Sequence, residues 1–131
     1  KIGIQSELQL HEGTKYLLNK EYDLGFYSMV TMPTGDPAYY LNALLSEGGS
    51  VNYSGYDNHA IQVLLKQLND SYDTNVRKEI VKQIEEMLLA SYSITYIGFN
   101  NLIFATRKEL KNFVPHVTDY YQITVDLELQ S

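Results

Sequence analysis

The side chains that most often carry out catalysis are scattered along this sequence. His11, His59 and His116 are far apart, and none belongs to an H-E-x-x-H zinc-binding pattern. The sequence also has no G-x-S-x-G nucleophile turn and no glycine-rich phosphate loop. Glu85 and Glu86 are adjacent carboxylates, but they lie on a predicted helix where a solvated charged face is expected. The sequence therefore predicts a protein that is not an enzyme.

Two pairs of residues have the chemistry of metal ligands. Met29 and Met32 are three positions apart near a turn, and His116 and Asp119 are three positions apart in a predicted loop. Thioether and imidazole groups suit a soft or borderline ion. Methionines also fill gaps in apolar cores, and no spacing here resembles a dedicated metal cage. We therefore predict neither a metal site nor a resident cofactor.

Tyrosine is the dominant aromatic residue, with twelve copies against no tryptophan. Tyr27, Tyr53 and Tyr56 flank or occupy predicted loops near the Met32–Pro33 segment. A large ring with a hydroxyl tip suits the wall of a ligand pocket as well as ordinary packing. Both interpretations of these tyrosines stay open at this point.

Asp36 precedes Pro37, and this pair is typical of the start of a helix. Aspartate is a good N-cap, and proline at the first helical position lacks only a donor that would have no partner anyway. Capping alone would explain Asp36. The functional alternative is that this helix start faces a cleft and helps to place a ligand.

Length and composition exclude several classes of protein. The chain has 131 residues, 44% hydrophobic and 20% charged, as expected for one globular domain. A net charge of −6 without a Lys/Arg cluster argues against nucleic acid and against an anionic membrane surface as partner. Cysteine is absent, which suits an extracytoplasmic bacterial protein. Because the first residue is Lys1 and not Met, we expect a processed protein or an excised piece.

Hydrophobic periodicity predicts an α/β fold with the order β-α-β-α-α-α-β-β-β. Alternating or continuous apolar residues predict strands over residues 2–10, 22–30, 93–99, 102–106 and 123–129. Helical spacing predicts helices over residues 11–20, from Asp36–Pro37 to about Ser46, from Asp57 or Asn58 through Leu68, and from Asp73 or Thr74 through Leu88. Residues 107–112 are predicted as a short helical turn or loop.

Several short motifs occur in the order and spacing of one known family. They are Gly3–Ile4, Glu21–Leu24 (EYDL), Gly35–Leu41 (GDPAYYL), Asn52–Asn58 (NYSGYDN), Arg77 and Ile94–Ile97 (ITYI). In this order the motifs resemble the C-terminal lobe of the family 5 extracellular solute-binding proteins. That family comprises the nickel, dipeptide and oligopeptide receptors of ABC importers. The similarity covers nearly all of the chain.

The resemblance implies a periplasmic-binding-protein-like lobe of type II, with a mixed sheet flanked by helices. Residues 1–131 would form most of the C-terminal lobe of a longer, two-lobed protein. A small solute would be held between the lobes, against a rim formed by Tyr22 through Tyr56, and delivered to an ABC permease in the membrane. The location would be extracytoplasmic, either in the periplasm or as a lipoprotein on a Gram-positive cell surface. The expected ligand-binding wall consists of Tyr27, Met29, Met32, Thr34, Asp36, Asn52 and Tyr53.

The resemblance favours the nickel branch of the family. Peptide-binding members of the family hold the amino terminus of the peptide with an aspartate, usually beside a tryptophan. In this sequence Pro33 occupies the position of that aspartate, and Val30 or Thr31 occupies the position of the tryptophan. An uncompensated ammonium in a closed cleft costs several kcal/mol. Residues 113–116 and 119–124 also look like the nickel or metal-chelate branch. We therefore expect nickel or another metal chelate as transported ligand.

Two alternatives remain open from the sequence. The first is a peptide or opine receptor of the same fold, whose ligand is held by the other lobe. The second is a stand-alone acidic α/β interaction module or an enzyme domain, which would have no permease partner.

Overall fold

The computed structural model describes residues 3–101, 103–116 and 122–129. Its elements are the helices α1 (Lys15–Leu18), α2 (Ala38–Leu45), α3 (His59–Asp70) and α4 (Thr74–Ala90) and the strands β1 (Leu110–Lys111) and β2 (Glu128–Leu129). The architecture of the described residues is therefore a small mixed α/β arrangement in which helices dominate. The predicted helices α2, α3 and α4 are confirmed, and α1 is a single turn within the predicted residues 11–20.

The starts of α3 and α4 are fixed by side-chain caps. The Asn58 carboxamide oxygen accepts hydrogen bonds from the backbone N–H groups of Ala60 and Ile61. The Asp73 carboxylate does the same for Asn75 and Val76. Each cap satisfies donors that have no partner within the helix, and such a cap is typically worth about 1 kcal/mol. These caps confirm the predicted starts of both helices.

The core is formed where α2, α3 and α4 pack together. Each helix buries an apolar stripe with helical spacing, because side chains three or four positions apart share one face. The buried residues of this cluster are Tyr40, Leu41, Leu45, Ile61, Leu65, Leu68, Ile80, Ile84 and Leu88. Burial of each such side chain contributes roughly 1.5–3 kcal/mol. The three-helix unit is therefore the stable part of the described chain.

A glycine turn closes α2. The helix ends at Leu45, one residue before the predicted end. Gly48 has a φ of +70°, in the left-handed region that glycine adopts without steric cost. A Cβ atom on Gly49 would collide with the carbonyl oxygen of Ala43, which accepts a hydrogen bond from Val51 N–H at 3.0 Å. Only glycine at position 49 lets the chain fold back this closely over α2.

The four predicted strands outside the C-terminus are wrong for the residues that the structure describes. Residues 3–10, 22–30, 93–99 and 103–106 are all without strand pairing. In the first of these segments Ile4, Leu8 and Leu10 are 75%, 79% and 92% exposed. Strand preference depends on a neighbouring strand and on burial of one face, and the described chain supplies neither to these segments.

The segment 22–30 instead lies beside α1. The hydroxyl of Tyr16 donates a hydrogen bond to the carbonyl of Phe26 at 3.0 Å. Gly25 passes so close to Leu17 that a Cβ at this position would lie 2.8 Å from the leucine side chain. Asn100 also donates a hydrogen bond to the Ser28 hydroxyl at 3.0 Å. Side-chain contacts and not a β-ladder hold this segment.

The C-terminal pairing also differs from the prediction. β1 and β2 pair antiparallel, with Leu110 opposite Leu129 and Lys111 opposite Glu128. Part of the predicted turn at residues 107–112 is thus a strand. The predicted strand 123–129 is reduced to its last two residues. Ile123 and Val125 are 90% and 100% exposed, so the alternating pattern buries no apolar face there.

Some predictions lie outside the described residues. They concern Ile2 at the start of the first predicted strand, Leu102 at the start of the fourth, and residues 119–121 of the nickel-branch stretch, which include Asp119, the predicted partner of His116. Among the described residues, no helix is both long enough and apolar enough to cross a membrane.

Candidate functional site

An ion pair joins the starts of α2 and α4. One terminal nitrogen of Arg77, Nη2, donates to both carboxylate oxygens of Asp36, at 2.7 and 2.6 Å. The other nitrogen, Nη1, donates to the carbonyls of Leu68 and Ser71, which lie at and just after the end of α3. These are carbonyls that a helix end leaves without intrahelical partners. Arg77 therefore connects all three helices of the core.

Asp36 also serves the start of α2. Its Oδ1 accepts a hydrogen bond from Ala38 N–H at 2.8 Å, although the helix begins one residue later than a cap at Asp36 would place it. This hydrogen bond and the Arg77 guanidinium hold the pKa of Asp36 below its usual value, against the opposing effect of burial. The carboxylate is therefore ionised and already engaged with Arg77.

An open groove lies between the turn that precedes α2 and the neighbouring face of α4. Its volume is about 490 Å³, within the size range of small-molecule sites. Its lining combines apolar side chains with charged side chains of α4. The groove is lined by Met32, Gly35, Asp36, Pro37, Leu68, Thr74, Arg77, Lys78, Val81, Lys82 and Glu85. Of the predicted wall residues, Met32 and Asp36 line this groove.

Two other wall residues form an aromatic pair. The rings of Tyr27 and Tyr53 meet edge to face, with centroids 5.3 Å apart and an interplanar angle of 85°. Burial and the neighbouring phenol of Tyr53 raise the pKa of Tyr27. Such a pair contributes about 0.5–1.5 kcal/mol beyond its buried area. Since Tyr27 is still 48% exposed, the pair offers an aromatic surface to a ligand.

The remaining wall residues have different surroundings. Met29 packs against the helical core, as expected for a methionine that fills a gap. Thr34 is exposed. The structure therefore divides the predicted wall between the groove, the tyrosine pair and the core surface, and does not gather all of it into one pocket.

Asn52 organises its own loop. Its side chain accepts a hydrogen bond from Tyr56 N–H at 2.9 Å and donates one to the Tyr56 carbonyl at 2.8 Å. It also donates to the carbonyl of Ser46 at 3.3 Å. These bonds close the turn around Gly55, whose φ is +67°. In this structure Asn52 positions the loop that carries Tyr53.

The predicted rim from Tyr22 to Tyr56 includes a long accessible stretch. Residues 22–35 are exposed or half-buried throughout, and the groove opens beside their C-terminal end. Within residues 3–101, 103–116 and 122–129, no three His, Cys, Asp or Glu side chains lie close enough together to hold a metal ion.

A pair of tyrosines ties the segment after α4 to the core. The Tyr40 hydroxyl donates a hydrogen bond to the Tyr96 hydroxyl at 3.0 Å. Burial is the main reason that the pKa values of both phenols are raised, and the carboxylate of Glu85 adds to the effect. Glu85 therefore acts on this pair and also lines the groove.

Arg77 is the principal site residue that sequence reasoning did not assign. In the sequence it belongs only to the set of family-like motifs and has no assigned role. Its partner Asp36 lies 41 positions earlier, beyond the reach of any helical or strand spacing. The only local signal for this role was the position of an arginine in the first turn of α4, which begins shortly after α3 ends.

Comparison with known proteins gives two partial similarities. The chain is 30% identical over 92 residues to the nickel-binding protein NikA of Staphylococcus aureus, a match that covers 70% of this chain and 19% of NikA. It is 28% identical over 88 residues to the dipeptide-binding protein DppE of Bacillus subtilis, covering 67% of this chain and 16% of DppE. The matched part of the chain thus spans less than a fifth of either relative. No family model matches the chain, and no solved structure matches it.

Both relatives are named as binding proteins and not as enzymes. The partial homologies support the resemblance to solute-binding proteins. They include one nickel-binding and one dipeptide-binding protein, so they do not distinguish the two branches.

Proposed function

We propose that this chain is part of the substrate-binding component of an ABC importer. The observation that carries the proposal is the partial homology to two binding proteins over about 70% of the chain. The accessible segment 22–35 and the adjoining groove provide a surface where a small solute can be held. In this proposal residues 1–131 form most of the C-terminal lobe, and a hinge motion of the longer protein closes the site.

The proposed solute is nickel or another metal chelate. The higher of the two identities is to a nickel-binding protein. The contacts of Asp36 support the same choice, because its carboxylate is engaged with Arg77 and is not available as the sole counter-charge for a peptide ammonium. Pro33 also cannot supply a carboxylate at the position where peptide receptors of the family use one. The tyrosine pair would pack against the organic part of the chelate.

The remaining elements of the proposal concern the whole protein. We propose an extracytoplasmic location, in the periplasm or as a cell-surface lipoprotein, and docking of the loaded protein on a membrane permease. A dipeptide or oligopeptide receptor is the second candidate function, and the similarity to dipeptide-binding DppE favours it.

Isothermal titration calorimetry on the longest natural form of the protein tests the proposal. We expect saturable heat with the nickel–histidine complex. Tyr27→Ala should weaken that binding, because it removes the exposed ring of the tyrosine pair. Tyr72→Ala is the matched control, since Tyr72 is 94% exposed and is not one of the predicted wall residues. Heat with a dipeptide mixture alone would assign the protein to the peptide branch, and no heat with either would refute the solute-binding role.

A further inference from the structure

The groove beside α4 has more positive than negative charge available to a ligand. Arg77 and Asp36 bind each other, so their charges largely cancel. Lys78, Lys82 and Glu85 also line the groove, and the carboxylate of Glu86 lies 4.0 Å from the Lys82 ammonium. With Arg77, Lys78 and Lys82 against Asp36 and Glu85, the residues that line the groove carry one net positive charge, although the whole chain has a net charge of −6.

The two lysines are placed to act on one ligand group. They are four positions apart on α4 and share a face, about 6 Å apart along the helix axis. The ammonium of Lys82 lies 4.0 Å from the carboxylate of Glu86, and both side chains are about two-thirds exposed. An exposed pair at this distance is weak, so a ligand carboxylate can replace Glu86 with little loss.

The apolar part of the groove lining suits an apolar ligand body. It consists of Met32, Pro37, Leu68 and Val81. Met32 is 45% exposed and Val81 is half-buried, so both still have apolar surface to bury. Removing such surface from water contributes roughly 25 cal/mol per Å². A ligand that fits therefore combines an anionic head with an apolar body.

From these contacts we infer that the groove binds a small carboxylate-bearing solute, with the carboxylate between Lys78 and Lys82 and the apolar part on Met32 and Val81. The inference deepens the proposed function and rests on it, because Met32 and Asp36 belong both to the proposed wall and to the groove. It assigns the solute a carboxylate, which a metal chelator or a peptide carboxyl terminus can each supply.

The test uses octanoate as probe and octylammonium as its charge-reversed counterpart. Both are titrated into the protein by calorimetry, below their micelle concentrations. We expect saturable octanoate binding that Lys78→Gln and Lys82→Gln each weaken about three- to tenfold, as removal of one partly solvated charge contact should. Lys66→Gln is the matched control, because Lys66 is an exposed lysine of α3 outside the groove.

Methyl NMR spectra locate the bound probe. Octanoate should shift the Met32 and Val81 methyl signals and leave that of the exposed Val125 unchanged. Far-UV circular dichroism establishes that each variant is folded, and Lys78→Glu provides a second variant that should abolish binding. Equal binding of octylammonium, or unchanged octanoate affinity in the folded lysine variants, would overturn the inference.

The two proposals fail separately. Each protein sample is also titrated with the nickel–histidine complex and with the dipeptide mixture. A protein that binds either of these solutes but not octanoate retains its solute-binding role and refutes the carboxylate groove. A protein that binds none of them refutes both.

Discussion

Replacing Arg77 should destabilise the protein far more than replacing any exposed charge. Arg77→Met keeps most of the apolar stem but removes the donors to Asp36 and to the carbonyls of Leu68 and Ser71. The arginine side chain is only 21% exposed, so water replaces these donors incompletely. The structure thus predicts a loss of contacts at all three helices of the core.

The magnitude follows from the individual contacts. The Asp36 carboxylate is 43% exposed, so its ion pair is discounted for solvent screening and is worth about 1 kcal/mol. Each of the two carbonyls loses a hydrogen bond worth about 0.5–1.5 kcal/mol. We therefore expect Arg77→Met to lower the free energy of unfolding by about 2–4 kcal/mol. Asp36→Asn keeps its position beside Ala38 N–H and should cost about 1 kcal/mol.

Urea denaturation followed by far-UV circular dichroism measures these losses. Glu86→Gln is the matched control, because it removes a charge from the exposed pair with Lys82 and should cost no more than about 0.5 kcal/mol. The double variant Asp36→Asn, Arg77→Met should lose less than the sum of its single changes. An Arg77→Met protein as stable as Glu86→Gln would refute the role given to Arg77.

The pH dependence of stability provides an independent check of the same pair. The pKa of Asp36 is lowered in the folded protein, so the unfolded chain binds the proton more readily. The stabilisation is therefore complete above the unfolded pKa of about 3.9 and is lost as the pH falls through the lower folded value. The stability difference between the native protein and Asp36→Asn should be constant above about pH 5 and shrink below pH 4. A constant difference down to pH 2 would contradict this account.

Two further predictions concern the frame around the site. Gly49→Ala should destabilise the protein by about 2 kcal/mol or more in urea denaturation, because the new Cβ atom would collide with the Ala43 carbonyl. Gly98→Ala is the control and should be neutral, since a Cβ atom there has no neighbour within 4 Å. Equal losses of stability in the two variants would contradict the role given to Gly49. Tyr96→Phe should cost about 1–3 kcal/mol, because it leaves the buried Tyr40 hydroxyl without its acceptor. An unchanged urea midpoint for Tyr96→Phe would show that Tyr40 has no need of this partner.

The sequence predicted the helical half of the fold well, for physical reasons that are local. The caps Asn58 and Asp73 each bind backbone N–H groups two and three residues later in the chain. The apolar stripes of α3 and α4 likewise depend on residues only three or four positions apart. Strands need partners that the sequence pattern does not identify. The alternation around Leu8 and Val125 was real, but the described chain offers no covering layer to it.

The candidate site was predicted only in part for the same reason. Asp36 was correctly placed at the start of α2, because proline and aspartate act locally there. Its partner Arg77 could be identified only from the structure, in which α3 and α4 pack together with α2. The grouping of Tyr27 with Tyr53 likewise depends on the turn that Asn52 closes.

Calorimetric titration of the longest natural form of the protein with the nickel–histidine complex and with dipeptides decides whether this chain belongs to a solute-binding protein. We expect saturable binding of nickel–histidine that Tyr27→Ala weakens and Tyr72→Ala leaves unchanged. Absence of saturable binding with both solutes would contradict a solute-binding role for this chain.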